Sequence, residues 1–465
     1  MFIEKGGSTK TTYKEIQNTS YNAISHGSHP NIYCIILDAY ARDDVLKEIY
    51  NYNNSEFTKF LTRKGFYVGK NTYSNYNQTI LTLSSMFNFN YINNEIKTKG
   101  TNARDRTPLR ESIKKSRLFH FLKKHGYQII ALSSKNPDTE ISNADIYIEF
   151  SGTINHFHNT IINSTPLPVI INFFSKTGKL KDSLDLHREH VLFTFDQSSD
   201  LTKYPSPHFL FSHVTAPHPP FVFGKHGEKV IYENNYHDLD GNWLIREGNF
   251  SLETYHKAYI EQLIFINKKT KKLIEKILAT SKREPVIILM GDHGPRSMLV
   301  WENGKNTYMK ECMAILYSIY LPGNNYEGFY DGISPVNTFR IILNRFFDTH
   351  FSTLEDDSYF SPAFYIYDAI KVSERLHNPD DTIMYRKFGD AFYRKGELNK
   401  ALEYYKKALE IDPENFLVHY KAGTIFYQKG NLDQAKYHLR KTLHINPDFQ
   451  PARKELTHIS NLQKR

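Results

Sequence analysis

Apolar positions in this chain cluster into short runs divided by polar stretches, and the spacing alternates between strand and helix character. Residues 31–37 form the first strong strand. Another lies at 286–290, five apolar residues that break abruptly into Gly291-Asp292-His293-Gly294-Pro295. Further strands are expected at 127–132, 145–150, 208–214 and 313–321, each an apolar run bounded by turn residues. Helical periodicity marks 45–50, 56–64, 112–125, 252–281 and 334–347, the last capped by Ser334-Pro335. Residues 71–88 run from a polar loop into an amphipathic helix start, and 224–250 read as a long surface loop. The span 151–200, with its apolar piece TPLPVIINFF and the segment HREHVLFTFDQ, yields no assignment. Strands alternating with helices from residue 31 to 347 specify an α/β sandwich with a mostly parallel sheet.

The pattern changes near residue 378 and becomes helix–turn–helix, repeated. Gly389, Ala401 and Pro413 return as Gly423, Ala435 and Pro447, a period of 34 residues. Small residues fall where paired helices touch, and a proline closes each unit. KFGDAFYRKGELNKALEYYKKALEIDP and KAGTIFYQKGNLDQAKYHLRKTLHINP resemble tetratricopeptide repeats, with a capping helix from Pro451 onward. The expected organisation is a polar lead-in at 1–29, a catalytic domain at 30–370 and repeats at 382–415 and 416–449 within an all-α unit ending at 465. Two repeats and a cap are few to stand alone, so they should pack on the catalytic domain or on a partner.

Composition narrows the function classes. The formal net charge of +9 in 465 residues comes without a dense Lys/Arg run, which argues against nucleic acid. The excess fits the steering of an anionic substrate or lipid headgroup. The two cysteines, Cys34 and Cys312, sit in apolar strand-like runs and make neither a disulfide framework nor a zinc motif. No segment has the ~18 continuous apolar residues of a membrane span, and the polar start lacks a signal peptide's apolar core. The chain as written therefore reads as soluble, cytoplasmic by default, or extracytoplasmic if membrane helices precede it.

The chemistry gathers at strand ends, where open α/β sheets bind ligands. Asp292 and His293 follow one strand, flanked by glycines, and Asp38 ends the first. Two carboxylates and an imidazole suit one divalent metal ion, zinc or manganese rather than calcium. Thr79 stands at a loop-to-helix junction, where the positive end of the helix dipole favours an alkoxide and an incoming anion. A metal beside it would make the hydroxyl a usable nucleophile. FSHVTAPHPPF places His213 and His218 at and beyond a further strand end, and either could donate to a phosphoryl oxygen or protonate a leaving group. Arg296 is a candidate partner for substrate charge, and Arg42, Asp43 and Asp44 are candidates to support Asp38.

An aspartate ending the first strand, a hydroxyl nucleophile, an HPPF-type turn and a late GDHG resemble the alkaline phosphatase superfamily. The likeness is to its sulfatase-like branch, which holds lipoteichoic acid synthases and lipid A phosphoethanolamine transferases, and it spans roughly residues 28–350. The resemblance implies an alkaline-phosphatase-like sandwich and a metal bound by Asp38, Asp292 and His293. It also implies that Thr79 completes the metal shell and takes the phosphoryl group, and that His218 touches the substrate phosphate. TILTLSSMF around Thr79 resembles the transferases' T-x-x-S-x-P-C-M-F pattern, with Thr82 and Ser84 in place of its Ser and Pro. The first ligand is Asp where the transferases have Glu. No C/S-x-P-x-R motif is present, so sulfate-ester hydrolysis loses weight.

The expected activity is metal-dependent transfer or hydrolysis of a phosphodiester, phosphoethanolamine or phosphoglycerol-type group, on a lipid headgroup or glycan, through a phosphothreonine. Two alternatives stand beside it: a sulfuric ester hydrolase, and a catalytically dead scaffold whose repeats dock a protein partner.

Overall fold

The computed structural model describes residues 29–92, 104–150, 183–199, 201, 203–231, 241–246 and 250–462. A seven-stranded sheet is built from β1 (Ile32–Leu37), β2 (Tyr67–Val68), β3 (Gln128–Leu132), β4 (Ile146–Ile148), β5 (His208–Val214), β6 (Val286–Met290) and β7 (Tyr317–Tyr320). The order is β2-β7-β6-β1-β5-β3-β4. From β6 through β4 every pairing is parallel, whereas β7 runs antiparallel to β6 and to β2. Central strand β1 explains the sandwich. All six of its residues are buried, and alternate side chains feed two separate cores. Tyr33, Ile35 and Leu37 join one, while Ile32, Cys34 and Ile36 join the other. Period-2 alternation with both faces covered reads in sequence as an unbroken apolar run.

The helices, in order, are α1 (Asp43–Glu48), α2 (Ser55–Arg63), α3 (Thr79–Asn88), α4 (Thr107–Lys114), α5 (Arg117–Lys124), α6 (Ser183–Ser198), α7 (Gly241–Arg246), α8 (Leu252–Thr280), α9 (Met309–Met313) and α10 (Pro335–Phe347). The first core is closed by side chains of α2, α6 and α8, the second by those of α3, α4, α5 and α10. Register fixes where a ligand can sit. Leu37 pairs with Val214 and Ile36 with Met290, so β1, β5 and β6 end together on one rim.

Several local expectations are corrected. The single helix expected at 112–125 is two, because Ser116 leaves the helix in extended conformation and its side chain caps α5 by accepting from Phe119 N. The strand expected at 313–321 is only β7. Cys312 lies in α9, since the chain there turns to bring the Glu311 carboxylate under the loop at Ser297 and Met298. Ser334 is the N-cap residue of α10 but makes no side-chain cap hydrogen bond. The supposed surface loop contains α7, and the unassigned span contains α6. The lead-in up to residue 28, the TPLPVIINFF segment, and residues 232–240 and 247–249 lie outside the described residues. Both cysteines are buried and unbridged.

Beyond α11 (Ser373–His377) come α12 (Asp381–Arg394), α13 (Leu398–Ile411), α14 (Phe416–Gln428), α15 (Leu432–Ile445) and α16 (Gln450–Leu462). The 34-residue period has a packing cause. A side chain at Gly389 would run into the Tyr405 ring, and one at Gly423 would press on Leu439. Ala401 and Ala435 are fully buried where helix pairs cross. Helix α12 also packs on the α/β body: Ile383 and Met384 enter its first core, and Tyr308 Oη donates to Asp381 at 2.7 Å.

Candidate metal centre and active site

Asp38 is the first residue beyond β1, and its N–H donates to Val214 O at 3.0 Å, which holds it on the rim. Asp292 and His293 follow β6 after one glycine. Asp292 Oδ1 accepts from Ala39 N at 3.1 Å, leaving Oδ2 for another task. His293 Nδ1 donates to the Gly294 carbonyl at 2.8 Å, so Nε2 carries the lone pair. That Nε2 lies 3.3 Å from Asp38 Oδ1 and 3.4 Å from Asp292 Oδ2. All three of these atoms are buried without a hydrogen-bond partner among the described residues. Buried polar atoms are rarely left so. Two carboxylate oxygens and an imidazole nitrogen converging in this way fit a divalent cation.

Both glycines of the loop are demanded by close backbone approach. A Cβ on Gly291 would sit 2.7 Å from the Tyr40 carbonyl oxygen, and one on Gly294 would collide with the carbonyl of Glu311. The loop is clasped from beneath as well. Gly294 N donates to Cys312 O at 2.8 Å, and the buried Glu311 carboxyl accepts from Tyr50 Oη at 2.6 Å, Met298 N at 2.7 Å and the Ser297 hydroxyl. Burial pushes the Glu311 carboxyl up to about 7, despite the donors around it.

Two histidines approach from β5. His213 Nε2 is 3.3 Å from Asp38 Oδ2, and its Nδ1 is 2.9 Å from Thr139 Oγ1. His218 N donates to Asp38 O at 3.0 Å, its Nδ1 donates to Pro219 O at 2.5 Å, and its ring centre lies 6.0 Å from that of His293. Ligating atoms of Asp38, His218 and His293 fall within 4.8 Å of one another, as do those of Asp38, His213 and Asp292. Burial raises the Asp38 pKa, but His218, His213 and His293 outweigh it and hold the carboxyl well below its usual range. Burial likewise opposes charge on His213, and Asp38 more than offsets this.

Thr79 is the first residue of α3, with Gln78 extended at the N-cap. It is half-buried. Arg296 links it to the loop of Asp292 and His293: Nη2 donates to Asn77 O at 2.7 Å, and the guanidinium stacks 5.0 Å from the Trp301 ring centre. Arg42 forms a two-pronged pair with Asp44 and donates Nη1 to Thr72 O at 2.8 Å. With Asp44 it borders a separate cavity of about 860 Å³ whose walls include Phe66, Tyr67, Tyr326 and Phe329.

Sequence reading missed two supporting residues. Gln262, buried in α8, clamps the proline-rich turn: Nε2 donates to Pro217 O at 3.2 Å and His218 O at 3.1 Å, while Oε1 accepts from Val222 N at 2.8 Å. Glu311 is the other. Neither stands out in the linear pattern, since Gln262 follows Glu261 and Glu311 follows Lys310.

A family model described as sulfatase matches residues 30–328. The chain belongs to the sulfatase family. Its mostly parallel sheet between two helical layers is the alkaline-phosphatase-like fold, and a TPR repeat model matches residues 389–430 of the helical region behind it. No curated protein matches this sulfatase-family chain. Among solved structures it is similar to the C-terminal periplasmic domain of EcEptC from Escherichia coli in complex with Zn, at 11% identity, covering 69% of this chain and 83% of that one, with a TM-score of 0.44. It is also similar to the soluble domain of lipooligosaccharide phosphoethanolamine transferase A from Neisseria meningitidis, at 12% identity, with 70% and 89% covered and a TM-score of 0.40. A third is BT1596, a 2-O GAG sulfatase, at 11% identity, with 70% and 71% covered and a TM-score of 0.42. Among the described residues no helix is long and apolar enough to cross a membrane. The cytoplasmic default finds no support in these comparisons.

Proposed function

We propose that this chain is a metal-dependent phosphoryl hydrolase or transferase. Its substrates would be phosphodiester, phosphoethanolamine or phosphoglycerol-type esters, and Thr79 its nucleophile. One observation carries the reading: Asp38 Oδ1, Asp292 Oδ2 and His293 Nε2 converge, buried and otherwise unpartnered, on the rim of the sheet. The Arg296–Asn77 contact ties that cluster to the turn that ends at Thr79.

A cation held by Asp38, Asp292, His293 and Thr79, zinc or manganese rather than calcium, would polarise a phosphoryl oxygen and lower the pKa of the hydroxyl. Thr79 Oγ1 gives its proton to solvent water, from which it takes one back on release, and attacks phosphorus. The bond from phosphorus to the leaving alcohol breaks, and that oxygen takes a proton from His218. The Pro219 contact at Nδ1 leaves His218 Nε2 for this work. Water, or a sugar hydroxyl in a transferase, then attacks the phosphothreonine, gives its proton to His218 and releases Thr79. The N-terminal turn of α3 adds a favourable field for the anion. Arg296 offsets substrate charge while holding the turn, His213 steadies Asp38, and Arg42 with Asp44 anchors the chain at Thr72. Phosphoryl transfer depends mainly on such positioning and charge stabilisation.

Sulfuric ester hydrolysis is the second reading, favoured by the family itself. A lipid headgroup or glycan substrate would place the work outside the cytoplasm, and the repeats offer a surface for a protein partner. Paired assays with bis-nitrophenyl phosphate and nitrophenyl sulfate separate the two readings, diester turnover supporting ours. Thr79→Ala is expected to lower that turnover about 10³-fold or more with the fold intact. Phosphate recovered on Thr79 by mass spectrometry supports the mechanism, and unchanged turnover refutes the nucleophile.

A further inference from the structure

Helix α6 carries two histidines that the mechanism above leaves unused. It packs on β5, where Val191 and Phe195 enter the first core and Ser198 Oγ lies 2.7 Å from Ser212 Oγ. Nearer its start, His190 Nε2 donates to the carbonyl of Ser133, the residue just past β3, at 2.7 Å. The helix thus climbs along the sheet and reaches the rim at His190. His187 stands one turn further out, over the strand ends.

The two rings are not equivalent. His190 gives Nε2 to its carbonyl, leaves only Nδ1 without a partner among the described residues, and packs 5.5 Å from the Phe150 ring centre. His187 Nε2 is shut away from solvent and has no hydrogen-bond partner among the described residues. A buried polar atom in that state costs folding free energy unless a ligand satisfies it. Asp38 and His218 of the cluster already described are among the groups whose charge acts on His187, with His190 and Lys135. Burial, aided by His190 and His218, pushes its pKa down to about 3, so near neutral pH the ring is uncharged and carries one N–H.

We propose that His187 is a further substrate-contacting residue of this active site, donating its Nε2–H to a non-bridging oxygen of the bound tetrahedral oxyanion. The inference rests on reading the rim as the active site, but not on which ester is turned over. A neutral donor can hold a phosphoryl or sulfuryl oxygen without adding another charge beside the cation.

The test uses the full-length, metal-loaded protein, with inorganic phosphate and inorganic sulfate as calorimetric probes. His187→Leu fills the same space without a polar atom, and His187→Gln returns an N–H at similar reach. His187→Leu is expected to weaken binding of the preferred anion about tenfold or more, with unchanged metal content and a melting temperature equal to or above that of the parent. His187→Gln should restore most of the affinity. Anion binding by His187→Leu as tight as the parent's overturns the proposal. So does a failure of His187→Leu to fold, which would make the ring structural, or a parent that binds neither anion. A parent that holds sulfate but not phosphate, with sulfate lost in His187→Leu, supports His187 while refuting the phosphoryl reading.

Discussion

Arg296 Nη2 donates to the backbone carbonyl of Asn77 across 2.7 Å, joining the loop that bears Asp292 and His293 to the turn that ends at Thr79. These segments lie 219 residues apart in sequence, and the hydrogen bond ties that Asp-His pair to the turn bearing the hydroxyl.

Arg296→Lys keeps the charge but loses the planar fork that both donates to Asn77 and stacks on Trp301. Turnover number should fall about 10- to 100-fold, the cost of misplacing a nucleophile by roughly an ångström, while KM and metal content change little. Steady-state kinetics with metal analysis checks this. A rise in KM alone would assign Arg296 to substrate binding instead.

Gly294 is fixed by backbone crowding rather than by conformation. Gly294→Ala would drive a methyl group into the Glu311 carbonyl. The strain should destabilise the chain by at least about 2 kcal/mol and loosen the metal loop, so both melting temperature and bound metal should drop.

Glu311 imposes a pH dependence on stability. Burial pushes its carboxyl up from the ordinary value of 4.5 to about 7 in the folded chain. Between those values the folded state holds a proton that the unfolded state has released. Its contribution is therefore complete below 4.5 and is lost as pH rises through about 7. The shift corresponds to on the order of 3 kcal/mol. Denaturant unfolding of the parent should weaken between about pH 5 and pH 8 relative to Glu311→Gln, which cannot titrate. A constant difference between the two would show that Glu311 keeps one protonation state throughout.

What the linear pattern revealed, and what it hid, follows from how far each cause reaches. β5 and β6 stood out because strands buried on both faces are written as continuous apolar runs. The repeats stood out because Gly389 and Gly423 face the same crowding one period apart. Asp38, Asp292 and His293 could be singled out because each follows such a strand. The break at Ser116 was hidden, since a serine amid helical periodicity looks like a tolerated guest until its side chain is seen capping the next helix. Gln262 and Glu311 were hidden for a stronger reason. Their partners are a turn and a loop that the fold brings to them, and no local spacing encodes such contacts.

Asp38, Asp292 and His293 are expected to hold one divalent cation beside Thr79, and metal analysis of the purified protein decides whether they do. It should find close to one zinc or manganese per chain, and Asp292→Ala, still folded, should lose it. A parent chain that retains no stoichiometric metal after reconstitution with either ion would contradict the account.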